Sequence, residues 1–367
     1  MIARRKGLIV VFPVTMKGKP LGGALHTCRR CESRSRTSPA VSRIVSLMTP
    51  SPTILITGAA GNLGGLLARH LAPAGYDLRL MVHRTPLARE LRDAPNVEAV
   101  DADLARPETL ARAVSGADVV VHFAGVLFAP RPERFLVETN TVWFSNLVDA
   151  CLEAGVSRVI LISFPHVEGP TDPESPAAGR LDGAPISVHA RTRLDEERLL
   201  FDRTRDGETT PVVVRLGMVY GRGVLMIEAA RWLARRRLLA VWRQPTWIHL
   251  VSTPDFLSAL EAAILEPEIQ GIYHVGDNHP VTLQHFLDEA CRVWGCPKPH
   301  RLPVWVIYAA AGLCELVALV TRRPSPLTRD FITIGRVSYC GDSARARRDL
   351  IPVLRHPSLE SGAEALK

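Results

Sequence analysis

Three glycines spaced Gly58-x-x-Gly61-x-x-Gly64 follow the apolar run Ile54-Leu55-Ile56 and a threonine. Gly58 can take the positive φ of a tight turn, and Gly61 has no side chain to block an approaching pyrophosphate. Gly64 lets the next helix pack close to the sheet. Asn62 and Leu63 stand between the glycines, and Leu66 to Leu71 reads as the helix that follows. The first amides of such a helix have no intrahelical acceptor, and its dipole favours an anion there. A glycine triplet is weak evidence alone. Between a buried strand and a helix it reads as a dinucleotide-binding loop.

The elements that must hold this loop follow in order. Leu78 to Val82 reads as a second strand ending in His83-Arg84. In dinucleotide-binding folds an acid at that point takes the ribose hydroxyls, whereas Arg84 suits a 2′-phosphate through a charge-assisted bond. Val97 to Val100 is a third strand leading to Asp103-Leu104, and Pro107 to Val114 is a helix that Asp103 can open. Asp118 to His122 is a fourth strand with Phe123-Ala124-Gly125 at its end, residues small enough in part for a backbone to approach a ligand. A helix from Asn140 to Ala154, a strand at 158–163, a helix through residue 189 and a strand at 212–216 continue the alternation. This pattern predicts an α/β fold, a doubly wound, mainly parallel Rossmann sheet with a smaller C-terminal substrate lobe. The expected organisation is an extension over 1–47, a dinucleotide-binding domain over 48–220 and a lobe over 221–367 that returns late strands to the sheet.

The glycine spacing, the segment His122-Phe123-Ala124-Gly125 and the run Arg215-Leu216-Gly217-Met218-Val219-Tyr220-Gly221-Arg222-Gly223 resemble the extended branch of the short-chain dehydrogenase/reductase superfamily, the NAD-dependent epimerase/dehydratase family. The tail through Asp342 to Leu350 is similar to its 3β-hydroxysteroid dehydrogenase-like members. The resemblance implies a bound NADP or NAD, NADP preferred on the strength of Arg84, with Asp103-Leu104 over the adenine. It also implies a catalytic Ser or Thr, a Tyr and a Lys. Here Ser163 falls one residue early, with Phe164 at the hydroxyl position; His189 stands for the Tyr and Arg193 for the Lys. A spacing of four puts His189 and Arg193 on one helix face. Histidine titrates near neutrality and can act as acid or base. Arginine keeps the positive charge and can hold ribose hydroxyls, but gives up no proton. The implied function is an NAD(P)-dependent oxidoreductase acting on a small apolar, sterol- or isoprenoid-like alcohol or ketone. The missing Tyr-Lys pair leaves open a non-catalytic dinucleotide-binding protein, a redox sensor or assembly partner.

Composition bounds these readings. The chain has 367 residues, 47% of them hydrophobic, enough for a large core. Its net charge of +8 suggests nucleic acid until the charges are located: ten of the 45 Lys and Arg, but one of the 37 acids, lie in residues 1–50. The remainder is close to neutral, which excludes a nucleic-acid face. Residues 1–47 are expected to be disordered, with Met48 as the natural start. Seven cysteines without a disulfide pattern fit a reducing, cytoplasmic compartment, and Cys28-x-x-Cys31 has no second pair to make a metal site. Leu302 to Thr321 carries one charge, Glu315. It is expected to shape the apolar lobe and touch a bilayer surface rather than span it. The partners expected are a small-molecule substrate, a second copy of the chain and, through 302–321, a membrane surface.

Overall fold

The computed structural model describes residues 51–125, 132–321, 325 and 327–367; the extension expected over 1–47 lies outside them. Seven strands pair side by side, all parallel. They are Ile54–Thr57 (β1), Leu78–Val82 (β2), Val97–Asp101 (β3), Val119–His122 (β4), Arg158–Ser163 (β5), Thr210–Leu216 (β6) and Gly271–Val275 (β7). Their order is β7-β6-β5-β4-β1-β2-β3. The order reverses between β1 and β4, so the connections leaving these two strands turn to opposite sides and open a crevice at their carboxyl ends. That crevice lies between the segment after Thr57 and the segment after His122, residues that are direct register partners.

The helices are Asn62–Leu71 (α1), Pro107–Val114 (α2), Trp143–Glu153 (α3), Val188–Thr204 (α4), Leu225–Arg235 (α5), Thr253–Leu265 (α6), Leu283–Val293 (α7), Val304–Thr321 (α8) and Arg329–Gly335 (α9). Alternation along the strands sorts them into two layers, because successive strand side chains point to opposite faces. Ile54, Ile56, Ile160, Val212 and Val214 share one core with Leu67 and Leu71 of α1 and Phe256 and Leu260 of α6. Leu55, Val120, Val159, Leu161 and Val213 face the other, with Leu110 of α2, Phe144 and Leu147 of α3 and Leu200 of α4. Each such fully buried aliphatic side chain contributes about 1.5–3 kcal/mol, which makes a one-residue slip of any strand prohibitive.

Residues 221–367 contribute small two-stranded pairings, such as Ala240–Trp242 with His300–Leu302, and also the edge strand β7. Thus the second half of the sequence completes the sheet built by the first. Asn140 sits in a π-helical segment, Val137–Val142, that runs into α3. It does not cap that helix; its Nδ2 donates to Thr192 Oγ1 of α4 at 3.1 Å.

Candidate active site

Gly58 has φ +72°, and a Cβ built there would lie 3.0 Å from the Ala124 amide. The loops after β1 and β4 therefore touch backbone to backbone. Thr57 ties them further: its hydroxyl shares a 2.9 Å hydrogen bond with His122 Nδ1 and accepts from the Ala124 amide at 3.3 Å. The Gly61 amide donates to the Gly58 carbonyl at 2.8 Å. That same carbonyl would lie 2.9 Å from a Cβ at Gly61 and 2.6 Å from one at Gly64. One oxygen thus excludes side chains at both positions, and the helix start stays bare of side chains facing the crevice. Asn62 turns away to latch the loop: its Nδ2 donates to the Gly223 carbonyl at 2.5 Å and its Oδ1 accepts from the Leu225 amide at 2.8 Å. Leu63 packs against the core, and Phe123 meets Phe256 edge to face.

His83 and Arg84 are exposed at the end of β2. His83 Nε2 lies 3.5 Å from Asp103 Oδ2. Asp103 braces its own turn, its Oδ1 accepting from the Ala105 amide at 3.0 Å, and the buried Leu104 offers its carbonyl to Asn146 Nδ2 at 2.9 Å.

Ser187 caps α4, its hydroxyl accepting from the Ala190 amide. The cap sets the register that buries His189, Thr192, Arg193, Glu196 and Glu197. His189 is 2% exposed, and its Nδ1 stands 3.0 Å from Asp330 Oδ2 on α9. The contact is at charge-pairing distance but outside hydrogen-bond alignment, and Nε2 has no hydrogen-bond partner. One turn on, Arg193 Nη2 would lie 3.0 Å from a Cβ at Gly125, so a side chain there would crowd the guanidinium at the end of β4. Its Nη1 lies 2.7 Å from Glu196 Oε2, again without an aligned hydrogen bond. Burial, with the Arg193 charge adding to it, holds His122 down to about 3. Burial pushes Glu196 up to about 7, against the pull of Arg193.

Gly58, Gly61, Gly64, Phe123, Ala124, Gly125 and Arg193 therefore converge on the crevice. Bare glycines, the first amides of α1 and a guanidinium held against Gly125 fit a dinucleotide's phosphates and ribose. The NAD dependent epimerase/dehydratase family model matches residues 54–244, more than half of the chain. The chain belongs to this family. A ceramide reductase of Caulobacter vibrioides is 29% identical over 74% of this chain and 80% of its own length. A 2-alkyl-3-oxoalkanoate reductase of Shewanella oneidensis is 24% identical over 95% of this chain and 93% of its own length. The DesIV dTDP-glucose 4,6-dehydratase of Streptomyces venezuelae, solved as a double mutant with NAD and DAU bound, matches with a TM-score of 0.69. It is 18% identical, over 85% of this chain and 95% of that one, so it speaks to the fold. Membership makes the chain an enzyme of the NAD-dependent oxidoreductase or dehydratase kind.

Within this family member the predicted site residues fall into separate groups. His189 meets Asp330, about 140 residues distant, which the sequence reading missed. Its only local signal is a place in the first turn of a helix capped by Thr328. Ser163 is buried and donates its hydroxyl proton to Glu197, away from His189's contacts. Glu197 is also gripped by Arg215, at 2.6 Å from Nη2, and Arg215 reaches Glu168 with Nη1. Phe164 stacks edge-on against His166, and His166 against Tyr339.

These buried groups predict the response to acid. Burial alone would raise Glu168, but hydrogen bonds from His274 and the Ala178 and Arg180 amides, with the Arg215 charge, hold it down to about 2. Burial holds His122 at about 3 and His166 at about 4. Groups lowered in the fold stabilise it above their unfolded values and lose that contribution as pH falls. Glu196 and Asp277, both raised by burial to about 7, act in the opposite sense and favour the fold as pH falls from 7 toward their ordinary range. Burial lowers His249 and His274 as well, so four histidines oppose two acids and the melting temperature should decline gently from about pH 6.5 to about 5. Below about 4 the acids gain nothing further while Glu168 joins the histidines, and stability should fall steeply. Thermal unfolding followed against pH checks this, and the acid limb should be shallower in Glu168→Gln.

Proposed function

We propose that the chain is an NAD(P)-dependent oxidoreductase that interconverts an apolar alcohol and its ketone, with His189 as the proton-handling residue. The observation that carries this reading is the buried His189–Asp330 pair, one helical turn from the arginine that abuts Gly125. Bound NAD(P) supplies or accepts the hydride. His189 Nε2 takes the hydroxyl proton as alcohol becomes ketone and returns it in the reverse direction. Asp330, 3.0 Å from Nδ1, balances the charge the ring gains. Arg193 holds the ribose, in a position where the family resemblance implies a lysine. Ser163 is assigned a supporting role through Glu197, because its proton is already committed there. The relatives' names, a ceramide reductase and a 2-alkyl-3-oxoalkanoate reductase, support a carbonyl substrate carrying long apolar chains.

NADP is assigned over NAD on Arg84, with His83 and Asp103 beside it at the adenosine end. Titration of NADPH and NADH should show the preference, and Arg84→Ala should reduce it about tenfold by removing one charge-assisted contact. Equal relative affinities in wild type and variant would end this assignment. The activity itself is tested with a panel of long-chain 3-oxo compounds, sterols and isoprenoid alcohols, read as NAD(P)H absorbance. No turnover across the panel in either direction would favour a dinucleotide-binding protein without catalysis.

A further inference from the structure

We infer that the free end of α8 is a prong that docks the protein on the surface of an anionic lipid bilayer. This stands apart from the chemistry at His189 and holds or fails without it. The helix has a mean hydropathy of 2.0, yet only Ile307 and Ala311 of its 18 residues are buried. Trp305, Leu319 and Val320 are 70%, 72% and 77% exposed, and Leu313, Leu316 and Val317 are exposed with them. A contiguous apolar surface of this kind marks an interaction site.

Its one ionisable side chain is neutralised. Glu315 Oε2 lies 2.8 Å from Arg329 Nη2, and its Oε1 accepts from the Arg329 amide at 2.8 Å. This clamp also fixes the prong's length. Six residues beyond Glu315 extend about 9 Å at 1.5 Å per residue. That equals the depth, about 5–10 Å, to which interfacial helices sink.

Three features choose the occupant. Leu313, Leu316, Val317, Leu319 and Val320 spread over about 160° of the helix, opposite Ile307 and Ala311, the broad apolar face that an interfacial helix sinks into lipid; a paired helix uses a narrower seam. Both flanks of the helix are anchored to the same body. His300–Leu302 pairs with Ala240–Trp242 just before it, and Tyr339 bridges to Ile248 after it, which excludes a span in this fold. The sequence continues from the apolar end into Arg322-Arg323, charges that complement anionic headgroups.

The test is flotation of the full chain with vesicles of phosphatidylglycerol and phosphatidylcholine, against vesicles of phosphatidylcholine alone. The wild type should float with the anionic vesicles and bind the neutral ones at least tenfold more weakly. Leu319→Glu with Val320→Glu should cost at least tenfold, with an unchanged melting temperature because both side chains stand in solvent. Arg322→Gln with Arg323→Gln should cost about 25-fold, about fivefold for each charge, and the loss should shrink at high salt. No wild-type flotation, or flotation indifferent to both variant pairs, would overturn the inference. So would retention in membranes through a carbonate wash, the mark of a span. A dimer on size exclusion that the glutamate pair dissolves, without vesicle binding, would assign the surface to a second copy instead.

Discussion

His189→Ala is expected to lower kcat by about 10²–10⁴-fold, the range a positioned acid or base contributes, with NAD(P) affinity unchanged. The two effects separate because His189 faces Asp330 on α9, while the glycine loop and Arg193 form the dinucleotide crevice at the ends of β1 and β4. Removing the ring leaves Ser187 to cap α4 and Arg193 against Gly125, so the site keeps its shape. Asp330→Asn should reduce kcat on the order of tenfold, since an amide can still pack against the ring but cannot balance its charge. A loss confined to kcat at unchanged KM and NAD(P) affinity, restored in part by Asp330→Glu, distinguishes positioning from mere packing. Full activity in His189→Ala would remove the proposed role outright.

Gly64→Ala is expected to abolish measurable dinucleotide binding, a loss of at least about 100-fold, through contact with backbone alone. The new Cβ would sit 2.6 Å from the Gly58 carbonyl oxygen and 3.0 Å from its carbon. That oxygen is held in place, because it also accepts from the Gly61 amide at 2.8 Å. Relief would have to move Gly58, which touches Ala124 on the far side of the crevice. Overpacking of this sort costs about 1–3 kcal/mol in a well-packed region, so the melting temperature should fall as well. Gly312→Ala is the matched control: nothing lies within 4 Å of its Cβ position, and the helix should gain slightly. Isothermal titration with NADPH on the three proteins separates the outcomes, and binding retained in Gly64→Ala would show that the loop can yield.

The strands and the glycine loop were legible because each is a local statement. Ile54 to Thr57, Leu78 to Val82 and Asp118 to His122 are short apolar runs bounded by turn residues, and the observed strands match them closely. A second demand on Gly61 was not legible: besides room for an approaching pyrophosphate, any Cβ there would lie 2.9 Å from the Gly58 carbonyl oxygen. Asn62 lies inside the glycine motif, but its amide is spent on Gly223 and Leu225, partners about 160 residues away. Asp330 was invisible for the same cause. A pairing between the first turn of a short C-terminal helix and a residue on α4 leaves no periodic trace in the chain. Ser163 shows the converse: its neighbours in sequence suggested an active-site hydroxyl, while its partner Glu197 was a spatial fact.

The lateness of Asp330 has a bearing on how the protein comes into being. When Arg193 leaves the ribosome, about 140 residues still separate the chain from the partner of His189. At translation rates of about 5–20 residues per second, that is an interval of about 7–30 s. During it the nascent polypeptide already owns the glycine turn and the ends of β1 and β4, the parts that grip a dinucleotide. Capture of a coenzyme at the glycine turn would thus precede completion of the proposed His189–Asp330 pair.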